Sequence, residues 1–193
     1  MNLFRTLNGA LLLGLAGAGL TGCVQAPDYP VTPEIDFKEA RNVFIPGASG
    51  SSDSNEITFV LSFRDGDGDL GLSQDDIKVP PYNQPPQAPV PLQRNHTTNE
   101  FNYFIQPELW NGTTYVPFQA GIIGEYDGTF PRLDGTDAKP APLRGDLNYR
   151  LPITIDGGIY KVGQRFRFRL TIVDRALHVS NTVTSTDVTL GPQ

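Results

Sequence analysis

Arg165-Phe166-Arg167-Phe168-Arg169-Leu170-Thr171-Ile172-Val173 alternates apolar and polar residues along its length. A two-residue period places Phe166, Phe168, Leu170 and Ile172 on one face and Arg165, Arg167, Arg169 and Thr171 on the other, as in a strand with one face on a core. Upstream, Ile57-Thr58-Phe59-Val60-Leu61-Ser62-Phe63 repeats the pattern, with Ile57, Phe59, Leu61 and Phe63 inward. Tyr149 to Ile155 aligns Tyr149, Leu151, Ile153 and Ile155, while Pro152, which cannot donate to a ladder, marks an edge strand. Phe101 to Ile105 alternates as well, and Asn111-Gly112 is a two-residue hairpin signal that returns the chain through Thr113 to Phe118. Thr182 to Leu190, rich in β-branched residues, predicts a last strand, and Ile35-Asp36-Phe37 a short first one.

No segment after residue 23 carries an apolar repeat at helical spacing. The chain therefore reads as all-β: a single immunoglobulin-like β-sandwich with long loops, spanning residues 35–193. The loops are marked by composition. They run through Gly47 to Ser54, through the glycine- and aspartate-rich Asp65 to Asp76, and through a stretch with prolines at 80, 81, 85, 86, 89 and 91. Gly121 to Gly145 is a further long loop, with a short strand at Ala120 to Ile123.

Residues 1–22 read as a targeting segment. Arg5 supplies the charged start, Leu11 to Leu20 the apolar run, and Thr21-Gly22 the small-residue stop. That run is too short to span a bilayer. Leu20-Thr21-Gly22-Cys23 resembles the bacterial lipobox, which implies cleavage before Cys23 and acylation of its thiol. Cys23 is the only cysteine, so an intramolecular disulfide is excluded. Several acyl chains, at about 0.8 kcal/mol per buried methylene, amount to permanent membrane attachment. Residues 23–34, with Pro27, Pro30 and Pro33, then read as a lipidated cysteine and an extended tether. The expected address is the cell envelope, lipid-anchored at the outer membrane, with the leaflet left open. Val24 stands where aspartate would signal inner-membrane retention.

Loss of Arg5 with the leader leaves 14 basic against 21 acidic residues, a net charge of −7, which argues against a nucleic-acid partner. The expected partners are the membrane, through the anchor, and an unidentified envelope protein or glycan.

Three stretches together resemble a group of uncharacterised outer-membrane lipoproteins of Bacteroidetes-type bacteria. They are Phe63-Arg64-Asp65-Gly66-Asp67-Gly68-Asp69-Leu70-Gly71-Leu72, Phe101 to Ile105, and Val173-Asp174-Arg175-Ala176-Leu177-His178-Val179-Ser180-Asn181-Thr182-Val183. The resemblance covers most of residues 35–190. It implies an envelope address and a sandwich-like fold, and no particular activity.

Asp65, Asp67 and Asp69 follow a strand at alternate positions, with Gly66 and Gly68 freeing the backbone to curl. Three converging carboxylates repel unless a cation lies between them. The spacing matches positions 1, 3 and 5 of a twelve-residue calcium loop, with the Gly71 carbonyl at 7, Leu72 at the apolar position 8 and the Asp76 carboxylate at 12. Leu70 occupies position 6, where the EF-hand needs glycine, and no flanking helices are predicted. The candidate site is thus a Ca²⁺ loop on a β scaffold, with Asp174 as a completing ligand. The other reading of the same residues is a solvated acidic turn. Magnesium keeps its waters and suits an all-protein cage less well. Zinc and iron lack ligands, because His96 and His178 lie in different segments and no second cysteine exists.

No catalytic residue is assigned. Glu125, Asp127, Asp134 and Asp137 include the raw material for a glycosidase pair, but each sits among turn residues. Gly47-Ala48-Ser49-Gly50-Ser51 lacks nucleophile-elbow spacing, and no phosphate-cradling glycine motif opens a helix. The aromatics Tyr82, Tyr103, Trp110, Tyr115 and Tyr126 include candidates for a sugar-stacking platform. Arg165, Arg167 and Arg169 form a basic stripe whose simplest reading is a solvent face paired with neighbouring acids. The sequence therefore predicts a non-enzymatic binding or assembly module, with glycan binding and carboxylate hydrolysis as alternatives.

Overall fold

The computed structural model describes residues 27–86, 96–121, 124–135 and 139–193. Cys23, the leader, Pro89, Pro91, Ile122, Ile123 and Asp137 lie outside them. Among the described residues eight strands follow in order: β1 (Glu34–Ile45), β2 (Asp53–Asp65), β3 (Tyr103–Trp110), β4 (Tyr115–Pro117), β5 (Leu143–Ile155), β6 (Arg165–Ile172), β7 (Val183–Thr184) and β8 (Val188–Thr189). One sheet has the order β1-β2-β5 and the other β4-β3-β6-β7, with β8 also on β6; every pairing is antiparallel. The chain crosses between sheets after β2, after β4 and after β5, the Greek-key path of an immunoglobulin-like sandwich.

The alternating strands set the core. Ile57, Phe59, Leu61 and Phe63 of β2 and Leu151, Ile153 and Ile155 of β5 face Phe166, Phe168, Leu170 and Ile172 of β6. Phe59 meets Phe168 between the sheets at a centroid distance of 5.0 Å, and neither is exposed. Each such ring removed from water contributes about 1.5–3 kcal/mol. Pro152 does lie on an edge strand, since β5 borders the three-stranded sheet.

Three elements exceed their sequence signals. β1 runs on far beyond Phe37 because its register shifts between Phe37 and Glu39; after this bulge Ala40 and Phe44 face the core instead of the odd positions. β5 begins at Leu143, with Gly145 opposite Phe63, whose ring lies 3.1 Å from where a Cβ would stand. β3 continues through Pro107, because its ladder with β4 stops at Glu108 and leaves no donor required there. Conversely, the expected last strand is split into β7 and β8. The predicted hairpin joins β3 to β4 through Asn111–Thr114, a four-residue connection rather than a two-residue one, with the Asn111 side chain accepting from the Thr113 and Thr114 amides.

Asparagines tie the two sheets along one side. Asn181 Nδ2 donates to the Ile35 carbonyl while its Oδ1 accepts from the Ile35 amide, at 2.7 and 2.8 Å. Further along, fully buried Asn55 donates to Asn42 and accepts from the Gly191 amide, and Asn42 donates to the Thr189 carbonyl.

The pairing of Glu34 with Arg64, Leu143 with Asp65 and Tyr103 with Ile172 puts the starts of β1, β3 and β5 and the ends of β2 and β6 together. The aspartate loop lies at this end. The segment before β1 docks there too: the Gly66 amide donates to the Pro30 carbonyl at 2.8 Å, and Pro33 is buried. Residues 30–33, part of the tether expected from the sequence, are therefore docked on the domain.

Candidate metal centre

Asp65 closes β2, Asp67 and Asp69 follow in the loop, and Asp174 comes just after β6. One carboxylate oxygen from each lies within 4.8 Å of the others, so these four residues can hold a metal ion. The loop reaches this shape because its glycines permit close backbone contact. A Cβ at Gly66 would lie 2.2 Å from the Tyr29 carbonyl oxygen, and at Gly68 2.0 Å from that of Ala141. Gly68 also has φ +70°, a conformation that other L-residues rarely adopt. Leu70, between Gly68 and Gly71, is fully buried and anchors the loop in the core, pairing with Asp174 as an isolated bridge.

Backbone donors orient the carboxylates. Asp65 Oδ2 accepts from the Asp69 amide and Asp69 Oδ2 from the Ala176 amide, both at 3.0 Å. Asp174 accepts from the His178 amide at 2.7 Å and from His178 Nδ1 at 2.9 Å. Three further oxygens, one on each loop aspartate (Asp65 Oδ1, Asp67 Oδ1 and Asp69 Oδ1), are buried and have no hydrogen-bond partner. Asp65 itself is 0% exposed. Among the described residues, no lysine or arginine forms a salt bridge with any of the four.

The electrostatic consequence is strong. Burial, reinforced by Asp67, Asp69 and Asp174, pushes the Asp65 carboxyl up to about 7. Burial raises Asp174 to about 6 against the opposing His178 contacts, and burial together with Asp67 raises Asp69. His178 is raised in turn by its hydrogen bond to Asp174. A divalent cation among the four would reverse this penalty by favouring every ionised form.

The expected ligands are only partly assembled. Asp65, Asp67, Asp69 and Asp174 converge; Gly71 and Asp76 have other partners. The Gly71 carbonyl, like that of Leu70, accepts from Arg175 Nη1, which also binds Asp134 Oδ1 at 3.0 Å. Asp76 accepts from Arg132 Nε and the Ser73 amide, both at 2.7 Å, and Arg132 holds its carboxyl well below the usual carboxylate range. The EF-hand spacing therefore fails at positions 7 and 12. The chain after Leu70 turns away into a single 3-10 turn at Asp76–Lys78 and is secured by arginines, and Asp174 completes the cluster from the other sheet. Sequence inspection missed Arg132, Arg175 and the orienting role of His178; the only signal was that Arg175 and His178 lie in the same motif as Asp174.

The other candidates have local roles. Asp127 accepts from the Ile105 amide and contacts His96 Nε2, both at 2.9 Å, whereas Asp134 binds Arg175. These loop acids are committed to different partners. Arg165 stacks over Trp110 at 4.4 Å and faces Asp187 at 3.5 Å; Arg167 stacks over Tyr115 and binds Glu108 at 2.6 Å. The basic stripe is thus paired with acids and aromatic rings, apart from exposed Arg169. Trp110 has Arg165 over its ring, and the Tyr126 hydroxyl bonds that of Tyr160, so the sugar-platform candidates are engaged within the domain.

Comparison with protein-family models, curated proteins and solved structures found no match.

Proposed function

We propose that this chain is a non-enzymatic, lipid-anchored envelope module whose β-sandwich carries a structural Ca²⁺ in the Asp65–Asp67–Asp69–Asp174 cluster and serves binding or assembly. The observation that carries the metal reading is the trio of buried carboxylate oxygens, each without a partner, converging with Asp174. An acidic turn in water would hydrate those atoms, whereas a hard cation would satisfy them together. Four all-oxygen donors of high negative charge suit calcium, and the absence of sulfur or imidazole donors in the set disfavours zinc. His178 would act on the ligand rather than on the metal, holding the Asp174 carboxylate in place. The anchor rests on the resemblance of Leu20 to Cys23 to a lipobox, and the lipoprotein family resemblance accords with it.

The test is calorimetric titration of the mature chain with calcium, alongside melting curves with and without chelator. Saturable binding and a raised Tm, both lost in Asp67→Ala, are expected. No heat and no shift up to millimolar calcium would refute the metal reading.

A further inference from the structure

The short stretch between the acylated cysteine and the first docked residue constrains how the sandwich stands on its membrane. Cys23 and Pro30 are seven positions apart, a distance of at most about 25 Å when the chain is fully extended. Pro30 is hydrogen-bonded to Gly66, inside the aspartate loop. The opposite end of the sandwich lies along β2, whose thirteen residues extend about 40 Å. The anchor therefore reaches the aspartate end with ease.

That end also presents apolar side chains. Val31 follows Pro30 directly, and the Leu133 amide donates to the Leu70 carbonyl. The Leu177 amide donates to the Asp174 carbonyl, and Val79 stands one turn beyond Asp76, which Arg132 holds. All four residues are exposed. The far end carries Val43, Ile45, Ile159 and Val162, also exposed, so apolar exposure alone selects neither end. The reach of the anchor selects one.

We infer that the aspartate end is the face laid against the bilayer, where Val31, Val79, Leu133 and Leu177 contact lipid and the bound cation reduces the repulsion between the aspartates and anionic headgroups. The orientation rests on the acylation of Cys23 proposed above, and its response to chelator on the Ca²⁺ site proposed there. Shallow burial of single apolar side chains is favourable by area, and the acyl anchor keeps them at the surface. Without the cation, the carboxylates would oppose approach to an anionic surface.

Because Cys23 is the only cysteine and its thiol is consumed by acylation, an introduced cysteine can be labelled alone. The mature acylated chain, reconstituted with calcium into phosphatidylethanolamine–phosphatidylglycerol vesicles containing a headgroup spin label, is the system to use. A dye on Leu177→Cys or Val79→Cys should be quenched several-fold more than one on Ile159→Cys, and chelation should reduce the difference. Two positions guard against a folding defect at either one. Equal quenching at both ends, or stronger quenching at Ile159, would overturn the orientation. Mass spectrometry of Cys23 separates the two ideas: an unmodified thiol would sink the anchor reading, whereas an acylated thiol with an unquenched aspartate end would sink this inference alone.

Discussion

Leu70 and Asp174 face each other as an antiparallel bridge, which fastens the loop after β2 of one sheet to the end of β6 in the other. Their neighbours therefore meet as a group, and the chemistry of the cluster is coupled to the closure of the sandwich.

The first expectation concerns pH. The Asp65 carboxyl ionises near 7 in the folded chain and near 3.8 when unfolded, so between those values the native state holds the extra proton. Stability must then fall as pH rises through that window. Asp174, raised to about 6, and His178, also raised, push in the same direction. In chelator, Tm should be higher at about pH 5 than at about pH 8, and saturating calcium should flatten or invert the trend. A metal-free Tm that climbs over this interval would contradict the electrostatics described.

Substitution at the fully buried ligand should have opposite effects in the two states. Asp65→Asn keeps the shape and removes a buried charge, so the metal-free protein should melt higher near neutral pH. The same variant should lose most of its calcium response. Differential scanning calorimetry with calcium and with chelator reads both signs.

Asp76 provides a contrast within the same sequence motif. Asp76→Ala strands Arg132 and the Ser73 amide, at a cost of about 1–3 kcal/mol by urea unfolding. Calcium affinity should change little. Loss of binding comparable to that of Asp67→Ala would restore Asp76 to the ligand set.

Glycines offer a fourth test. Gly68 and Gly112 both have positive φ, but a Cβ at Gly68 meets the Ala141 carbonyl whereas one at Gly112 meets open space. Gly112→Ala should cost about 1 kcal/mol from backbone strain alone. Gly68→Ala should cost more and weaken calcium binding, since the loop must shift to relieve the clash.

Where one face of a strand is buried without interruption, the sequence was sufficient. β2, β6 and the later half of β5 follow from alternation, and the edge position of β5 from Pro152. β1 was not legible beyond Phe37, because the bulge there reverses which parity faces inward and cancels the period. The split between β7 and β8 was likewise invisible, since β-branched residues suit both extended segments and the turn between them. At the candidate site, local spacing revealed the three loop aspartates, and the strand-end position suggested Asp174. Gly71 and Asp76 were assigned by analogy with a helix-flanked loop. Their engagement by Arg175 and Arg132 depends on contacts across long sequence separation, which no local pattern encodes.

Pro152 has a consequence beyond its own strand. The ladder from β2 runs through it without a shift, so the missing donor falls on the free side of β5. Charged Arg144, Asp146 and Arg150 lie along the same exposed border. This long unpaired margin is a poor template for another chain. Two copies meeting at this border would touch there without joining into one continuous sheet through β5.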